Sequence, residues 1–174
     1  MLAETVAAAE MPSFEEAFRE EFERGHASLA RYLGRLTDDA AIGADLAQEA
    51  FVRLFRRGSM PDDPRAWLAA VAHNLLRTER LQVRRRARLL GARGRELAPA
   101  AMAAPDEVME SAERRVRVRR ALDTLAERER RMLLLRYEGF SYREIATALD
   151  LHEASVGTLL ARAKEQFRDA LGKE

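Results

Sequence analysis

Arg77, Arg80, Arg84 and Arg88 recur at steps of three and four, so a helix would carry all four on one face. Guanidinium groups in such a row are suited to neutralising successive phosphates, which releases the counterions condensed on a nucleic acid. Arg85 lies beside them, and only Glu79 offsets the run. Residues 64–95 hold nine basic side chains against one acidic in a chain whose net charge is only +1, and that asymmetry points to a polyanionic partner. A second set, Asp45, Gln48, Glu49 and Arg53, groups acid, amide and base on a helical stretch away from its apolar stripe. Such a face is ordinarily solvated, and it also suits a basic protein surface. Bond-making chemistry has no comparable signature. His26, His73 and His152 are dispersed, with no H-E-x-x-H, phosphate-binding loop or nucleophile elbow around them. His73, beside Asn74, reads as a packing or surface residue. The absence of cysteine excludes disulfides and thiolate metal sites. No catalytic residue, metal, cofactor or small-molecule substrate is therefore expected.

These residues need helices to hold them. Hydrophobic residues make up 47% of the 174 and charged residues 34%, as in a soluble core-forming protein, while aromatics reach only 6%, leaving the core to Leu, Val, Ala and a few Phe. Residues 1–12 are Ala-rich but carry Glu4, Glu10 and no basic residue, which reads as a disordered tail rather than a signal peptide. No run is long enough to span a membrane, and a cytoplasmic location is expected. A first helix is predicted over 13–36, capped by Ser13, with Phe14, Phe18 and Phe22 as core and a slip near Gly25. The second, over 42–57, buries Leu46, Ala47, Ala50, Phe51 and Leu54. The loop GSMPDD follows, and Asp63 caps a third helix with Pro64 at its first position. That helix runs to about residue 90, with Trp67, Leu68, Val71, Ala72 and Leu75 as its core face. Residues 91–112 carry Gly91, Gly94, Pro99 and Pro105 and hold no apolar period, so they read as a flexible linker.

Helical periodicity returns at 113, with Val118, Ala121, Leu122 and Leu125 on one helix. Leu133, Leu134 and Tyr137 lie on the next, which Gly139 ends. Ser141 and Glu144 then form an S-x-x-E capping box, with Phe140 and Ile145 placed to close a hydrophobic staple. Asp150, Leu151 and His152 break the pattern. Val156, Leu160, Ala163 and Phe167 define a final amphipathic helix. A capped short helix, a turn and a longer helix make a helix-turn-helix, whose second member in DNA-binding versions enters the major groove. The expected fold is all-α: two small helical domains, 13–90 and 113–174, joined by the linker, the second ending in the helix-turn-helix.

Four segments in this order resemble the sigma-70 family of RNA polymerase sigma factors, in its extracytoplasmic-function type. DLAQEAFVRLFRR (45–57) is similar to the helix that grips the polymerase clamp. DPRAWLAAVAHNLLRTERLQVRRRAR (63–88) resembles the segment that melts and holds the −10 promoter element. LAERERRMLLLRYEGFSYREIATAL (125–149) resembles the run before the −35-reading helix, and SVGTLLARAKEQF (155–167) occupies that helix. The resemblance implies a non-enzymatic factor whose partners are core RNA polymerase and promoter DNA, with an anti-sigma factor as a further candidate. It assigns Asp45, Gln48, Glu49 and Arg53 to polymerase. Asn74, Arg77, Arg80, Arg84, Arg85 and Arg88 fall to the −10 region, and GSMPDD to the place where relatives hold a flipped base. Arg143, Glu153, Ser155, Thr158, Arg162 and Lys164 fall to the −35 region. Gly157 and Leu159 stand where many relatives carry Lys and Arg, so a −35 contact made mainly through phosphates and shape is expected. The residues read by themselves also fit a stand-alone helix-turn-helix regulator whose amino-terminal half dimerises or senses.

Overall fold

In the computed structural model, which describes residues 13–89 and 106–172 (side chains 79–111 excepted), every element is an α-helix. They are α1 (Phe14–Thr37), α2 (Ala40–Arg57), α3 (Pro64–Leu89), α4 (Asp106–Asp123), α5 (Glu127–Tyr137), α6 (Tyr142–Leu149) and α7 (Glu153–Gly172). The starts are written locally. Ser13 accepts from the Glu16 amide at 3.3 Å while the Glu16 carboxylate accepts from the Ser13 amide at 2.9 Å, a reciprocal cap for α1. Asp39 accepts from Ala41 and Ile42 at 2.8 and 3.1 Å, which starts α2 two residues before the periodicity does. Asp63 accepts from the Ala66 amide at 3.1 Å, with Pro64 at the first helical position where its missing N–H costs nothing. The stops are local too: Gly58 and Gly139 adopt φ of 70° and 84°, a region glycine enters without strain.

Helix α1 is continuous through Gly25, and its buried stripe differs from the predicted one. Glu21, Gly25, Ser28, Leu29, Tyr32, Leu33 and Leu36 face inward. Phe14 and Phe18 are half-buried and Phe22 is exposed. Gly25 makes room: a Cβ there would stand 2.8 Å from the Glu21 carboxylate, which is itself 1% exposed. On α3 the buried residues are Ala66, Leu68, Ala69, Ala72, His73 and Leu76, whereas Trp67, Val71 and Leu75 are half-covered at its edge. Tyr137, expected in the core of α5, is 74% exposed, and Met132, Leu134 and Leu135 fill that core instead. On α4, Val118 is exposed, and among its described side chains only Ala121 is buried. Residues 106–112 belong to α4, so the predicted linker ends earlier, and its stretch 91–105 lies outside the described residues.

Helices α1 and α2 cross at a backbone contact that the sequence does not advertise. A Cβ on Gly43 would stand 2.3 Å from the Gly34 nitrogen and 2.6 Å from its Cα. Overpacking a helix crossing costs typically 1–3 kcal/mol, and backbone cannot yield as a side chain does. Gly43→Ala is expected to destabilise the fold by about 3 kcal/mol, read as a shifted denaturant midpoint at unchanged slope. A shift equal to that of Gly58→Ala, which sits in open space at a left-handed position, would show that the crossing is loose.

The two halves share one apolar cluster. It runs from Leu29, Tyr32 and Leu33 on α1 through Ala69, Ala72 and Leu76 on α3 to Met132, Leu135, Ile145 and Ala146 on α5 and α6. Helix α6 packs on α3, and α5 packs on α1. The halves therefore lie docked, not side by side.

Candidate nucleic-acid and polymerase interfaces

The helix-turn-helix is built as the sequence implies. Ser141 accepts from the Glu144 amide at 3.2 Å, and Glu144 accepts in return from the Ser141 amide at 2.6 Å. Phe140 and Ile145 are both buried, which closes the staple. Asp150 ends α6 with a φ of 54°, and α7 starts at Glu153. Val156, Leu160 and Ala163 anchor α7 inward. Ser155, Thr158 and Arg162, at steps of three and four, then share the outward face, and all three are exposed. Glu153 and Lys164 are exposed on the flank of α7 beside Gly157, and Arg143 is exposed on α6.

The two residues that the resemblance reads as departures, Gly157 and Leu159, have structural places. Leu159 packs against the core at its edge. Gly157 faces the Tyr142 ring, where a Cβ would lie 3.4 Å from Cε2, an ordinary contact, so a side chain is admissible there. Arg136 lies over the other reach of that ring, 5.5 Å from its centre.

On α2, Asp45, Gln48 and Arg53 are exposed and Glu49 is half-exposed, opposite the buried stripe. Arg53 donates to the Glu49 carboxylate at 3.0 Å, an i, i+4 pair with both side chains in solvent. Next to Gln48 lies something the sequence reading missed. Phe18, Phe22, His26, Phe51, Val52, Phe55 and Arg56 join Gln48 around a recess of about 410 Å³ between α1 and α2. The rings of Phe18 and Phe55 meet edge to face at 5.3 Å. The four-residue spacing of Phe14, Phe18 and Phe22 was the available signal, but periodicity does not say whether a stripe is covered. A polar face bordered by a partly open aromatic recess is the usual anatomy of a protein-binding surface.

On α3, Asn74 and Arg77 are exposed. The helix continues to Leu89, so Arg77, Arg80, Arg84 and Arg88 share one helical face with Arg85 adjacent; the side chains from 79 onward lie outside those described. Trp67 is half-covered, with the Arg57 guanidinium 5.7 Å over its ring, rather than sealed in the core. His73 is buried, as a packing residue. A larger cleft of about 1020 Å³ lies between the end of α1 and α4, rimmed by Arg31, Arg35, Arg115, Arg119 and Arg130, and none of the sequence-predicted site residues lines it.

Comparison with known proteins adds to this geometry. Residues 22–88 match the family model described as Sigma-70 region 2, and residues 115–167 the one described as Sigma-70, region 4. The "ECF RNA polymerase sigma factor SigE" of Mycolicibacterium smegmatis is 30% identical over 171 residues, which cover 95% of this chain and 64% of that protein. The chain thus spans somewhat less than two thirds of this relative's length. The "ECF RNA polymerase sigma factor SigL" of Mycobacterium tuberculosis is 34% identical over 150 residues, covering 82% of this chain and 81% of the relative. Among solved structures, the sigma factor RpoE in complex with the anti-sigma factor NepR from Bartonella quintana superposes with a TM-score of 0.61. That match covers 90% of this chain and 97% of the other at 19% identity, a likeness of fold.

Proposed function

This chain belongs to the sigma-70 family of RNA polymerase sigma factors, in its extracytoplasmic-function group, and we propose that it directs promoter recognition and strand opening by core RNA polymerase. The observation that carries the reading is one of exposure. The Asp45–Gln48–Glu49 face on α2 and the Ser155–Thr158–Arg162 face on α7 both remain open to solvent although the halves are docked. In this reading the acidic, amide-bearing face of α2, with its aromatic recess, docks on a basic polymerase surface. Asn74 and the arginines from Arg77 to Arg88 hold the −10 region, with the loop before Asp63 at the opposite, amino-terminal end of α3. Residues 13–90 and 113–174 are its polymerase/−10 and −35 units. No residue of the chain makes or breaks a bond; polymerase does that, in the cytoplasm. An anti-sigma factor is a further partner of the same proposal. No helix among the described residues is long and apolar enough to cross a membrane.

A binding comparison tests the reading. Free protein should bind duplex promoter DNA weakly and core polymerase tightly, and the complex should bind promoter tightly. Tight binding of duplex by a dimer of the free protein would identify a stand-alone regulator.

The −35 contact is proposed to rest on phosphates and shape more than on base edges. Gly157 offers no side chain, and Leu159 is spent on the core. Amides at the start of α7 can approach phosphate, while Arg162 and Lys164 hold the far side. Because the Tyr142 ring leaves room for a Cβ at Gly157, Gly157→Lys should fold normally and raise promoter affinity of the polymerase complex several-fold. The check is a promoter-library selection with wild type, Gly157→Lys and Thr158→Ala. A sharp wild-type −35 motif that Thr158→Ala preserves and Gly157→Lys abolishes would mean that Gly157 admits base reading.

A further inference from the structure

The turn between α5 and α6 receives donors from both helices of the other half that it touches. Glu138 ends α5, and its side chain is 3% exposed. Its carboxylate accepts from Arg31 Nε at 3.1 Å and from Arg35, both on α1. Its carbonyl accepts from Ser28 on α1 at 3.4 Å and from Arg65 on α3 at 3.2 Å. The same Arg65 reaches the Gly139 carbonyl at 3.4 Å and Glu144 at 3.5 Å, and lies 4.1 Å over the Phe140 ring. One three-residue turn thus gathers polar bonds from both α1 and α3, apart from the separate Arg119–Asp38 pair between α4 and the end of α1.

Behind that turn sits His73, 6% exposed, where α1, α3 and α6 meet. Its Nε2 pairs with the hydroxyl of the fully buried Tyr32 on α1, and the Ala148 carbonyl on α6 accepts from the ring. Both bonds are made by the neutral imidazole, with Tyr32 donating to Nε2. From α5, Arg131 and Glu127 face the same place, while Arg130, Arg131 and Glu127 face Tyr32. From α1 only Tyr32 faces it, and α6 offers no charge there beyond its backbone.

We propose that the docked halves form a proton-linked latch: the 138–140 turn holds them closed, and protonation of His73 at the α1–α3–α6 junction releases them. The latch needs neither polymerase nor promoter, and so stands apart from the reading above. A second proton, on Nε2, forces the Tyr32 hydroxyl to accept instead of donate, turns that hydroxyl's own proton away from its partner, and meets Arg131 in a dry site. Burial, and then Arg131, push the imidazole down to about 4. When α6 leaves, the ring meets water and returns toward its ordinary value near 6.5. The open form therefore binds the proton more readily than the closed one. Closure is fully favoured above pH ~6.5 and weakens as pH falls from there toward ~4. Relative to pH 8, the opening equilibrium should rise about tenfold at pH 5.5 and about thirtyfold at pH 5.

Energy transfer between dyes on the full chain reads this directly. The native sequence has no cysteine, so Arg19→Cys on α1 and Asp169→Cys on α7, both exposed, give clean labels. Transfer should fall reversibly between pH 7 and pH 5 with helical circular dichroism unchanged. His73→Gln can keep both hydrogen bonds but cannot titrate, and should remove the pH dependence. Tyr32→Phe keeps the titrating ring and should retain it. Glu138→Gln should lower transfer at every pH while keeping the slope. A pH response equal in His73→Gln and wild type, no response in wild type, or loss of helicity over the same interval would each overturn the latch.

Discussion

Glu49→Lys is expected to weaken binding to core RNA polymerase about thirtyfold, roughly 2 kcal/mol, while leaving the fold intact. Glu49 is half-exposed on α2 and pairs with Arg53, one turn on at 3.0 Å. An exposed i, i+4 pair contributes about 0.3–0.5 kcal/mol, so its loss hardly touches stability. Placing Lys beside Arg53 adds a like-charge penalty of similar size. The proposed docking surface fares differently. Asp45, Gln48 and Glu49 form one patch, and covering it desolvates whatever charge opposes it. Reversal of one charge there sets like charges together as water leaves. The measurement is a titration of labelled protein with core polymerase, with thermal unfolding as control. Affinity unchanged in Glu49→Lys at a normal melting temperature would remove this face from the docking surface.

Replacing Arg80 and Arg84 together by alanine is expected to lower promoter affinity of the polymerase complex by about 30-fold at 0.15 M salt. The figure follows from counterion release: two lost phosphate contacts reduce the salt slope by about 1.8, which at that concentration is about 1.5 decades. The loss should be similar on promoters of different sequence, because phosphate carries no base identity. Helix α3 continues past both residues to Leu89, so the substitution acts on a helical face, and alanine favours the helix. Plots of log affinity against log salt for wild type and double variant decide it. Parallel lines would show that the arginines merely solvate the end of α3.

Much of this architecture is legible in the sequence because it is dictated locally. Ser13 with Glu16, Asp63 with Pro64, and Ser141 with Glu144 each act within four residues, and each starts a helix where expected. Gly139 ends α5 for a reason contained in its own φ. The faces of α2 and α7 were legible as well, since a stripe of Leu, Ala and Val implies its opposite. What escaped depends on distant partners. Glu138 looks like any other acid on an arginine-rich helix, yet its partners lie 103 and 107 positions away on α1. Gly34 and Gly43 look like two small residues flanking a turn until their backbones are seen to touch. Phe14, Phe18 and Phe22 have core spacing, but Phe18 and Phe22 line a recess open to solvent, while Tyr32 is sealed in where α5 of the second half faces it. Tyr137 has the period of a buried residue and remains outside, with Arg35 4.8 Å over its ring. Periodicity identifies a face; it does not say whether anything covers it.

Transcription reconstituted from purified core polymerase, this protein and a library of promoter fragments tests the central claim most directly, with permanganate footprinting to detect unpaired thymines. Core polymerase with the protein should start transcripts at fragments sharing two spaced elements and open the duplex near the downstream one, whereas neither component alone should do so. Transcripts and opening that are the same with and without the protein, together with tight binding of duplex by the protein alone, would contradict it.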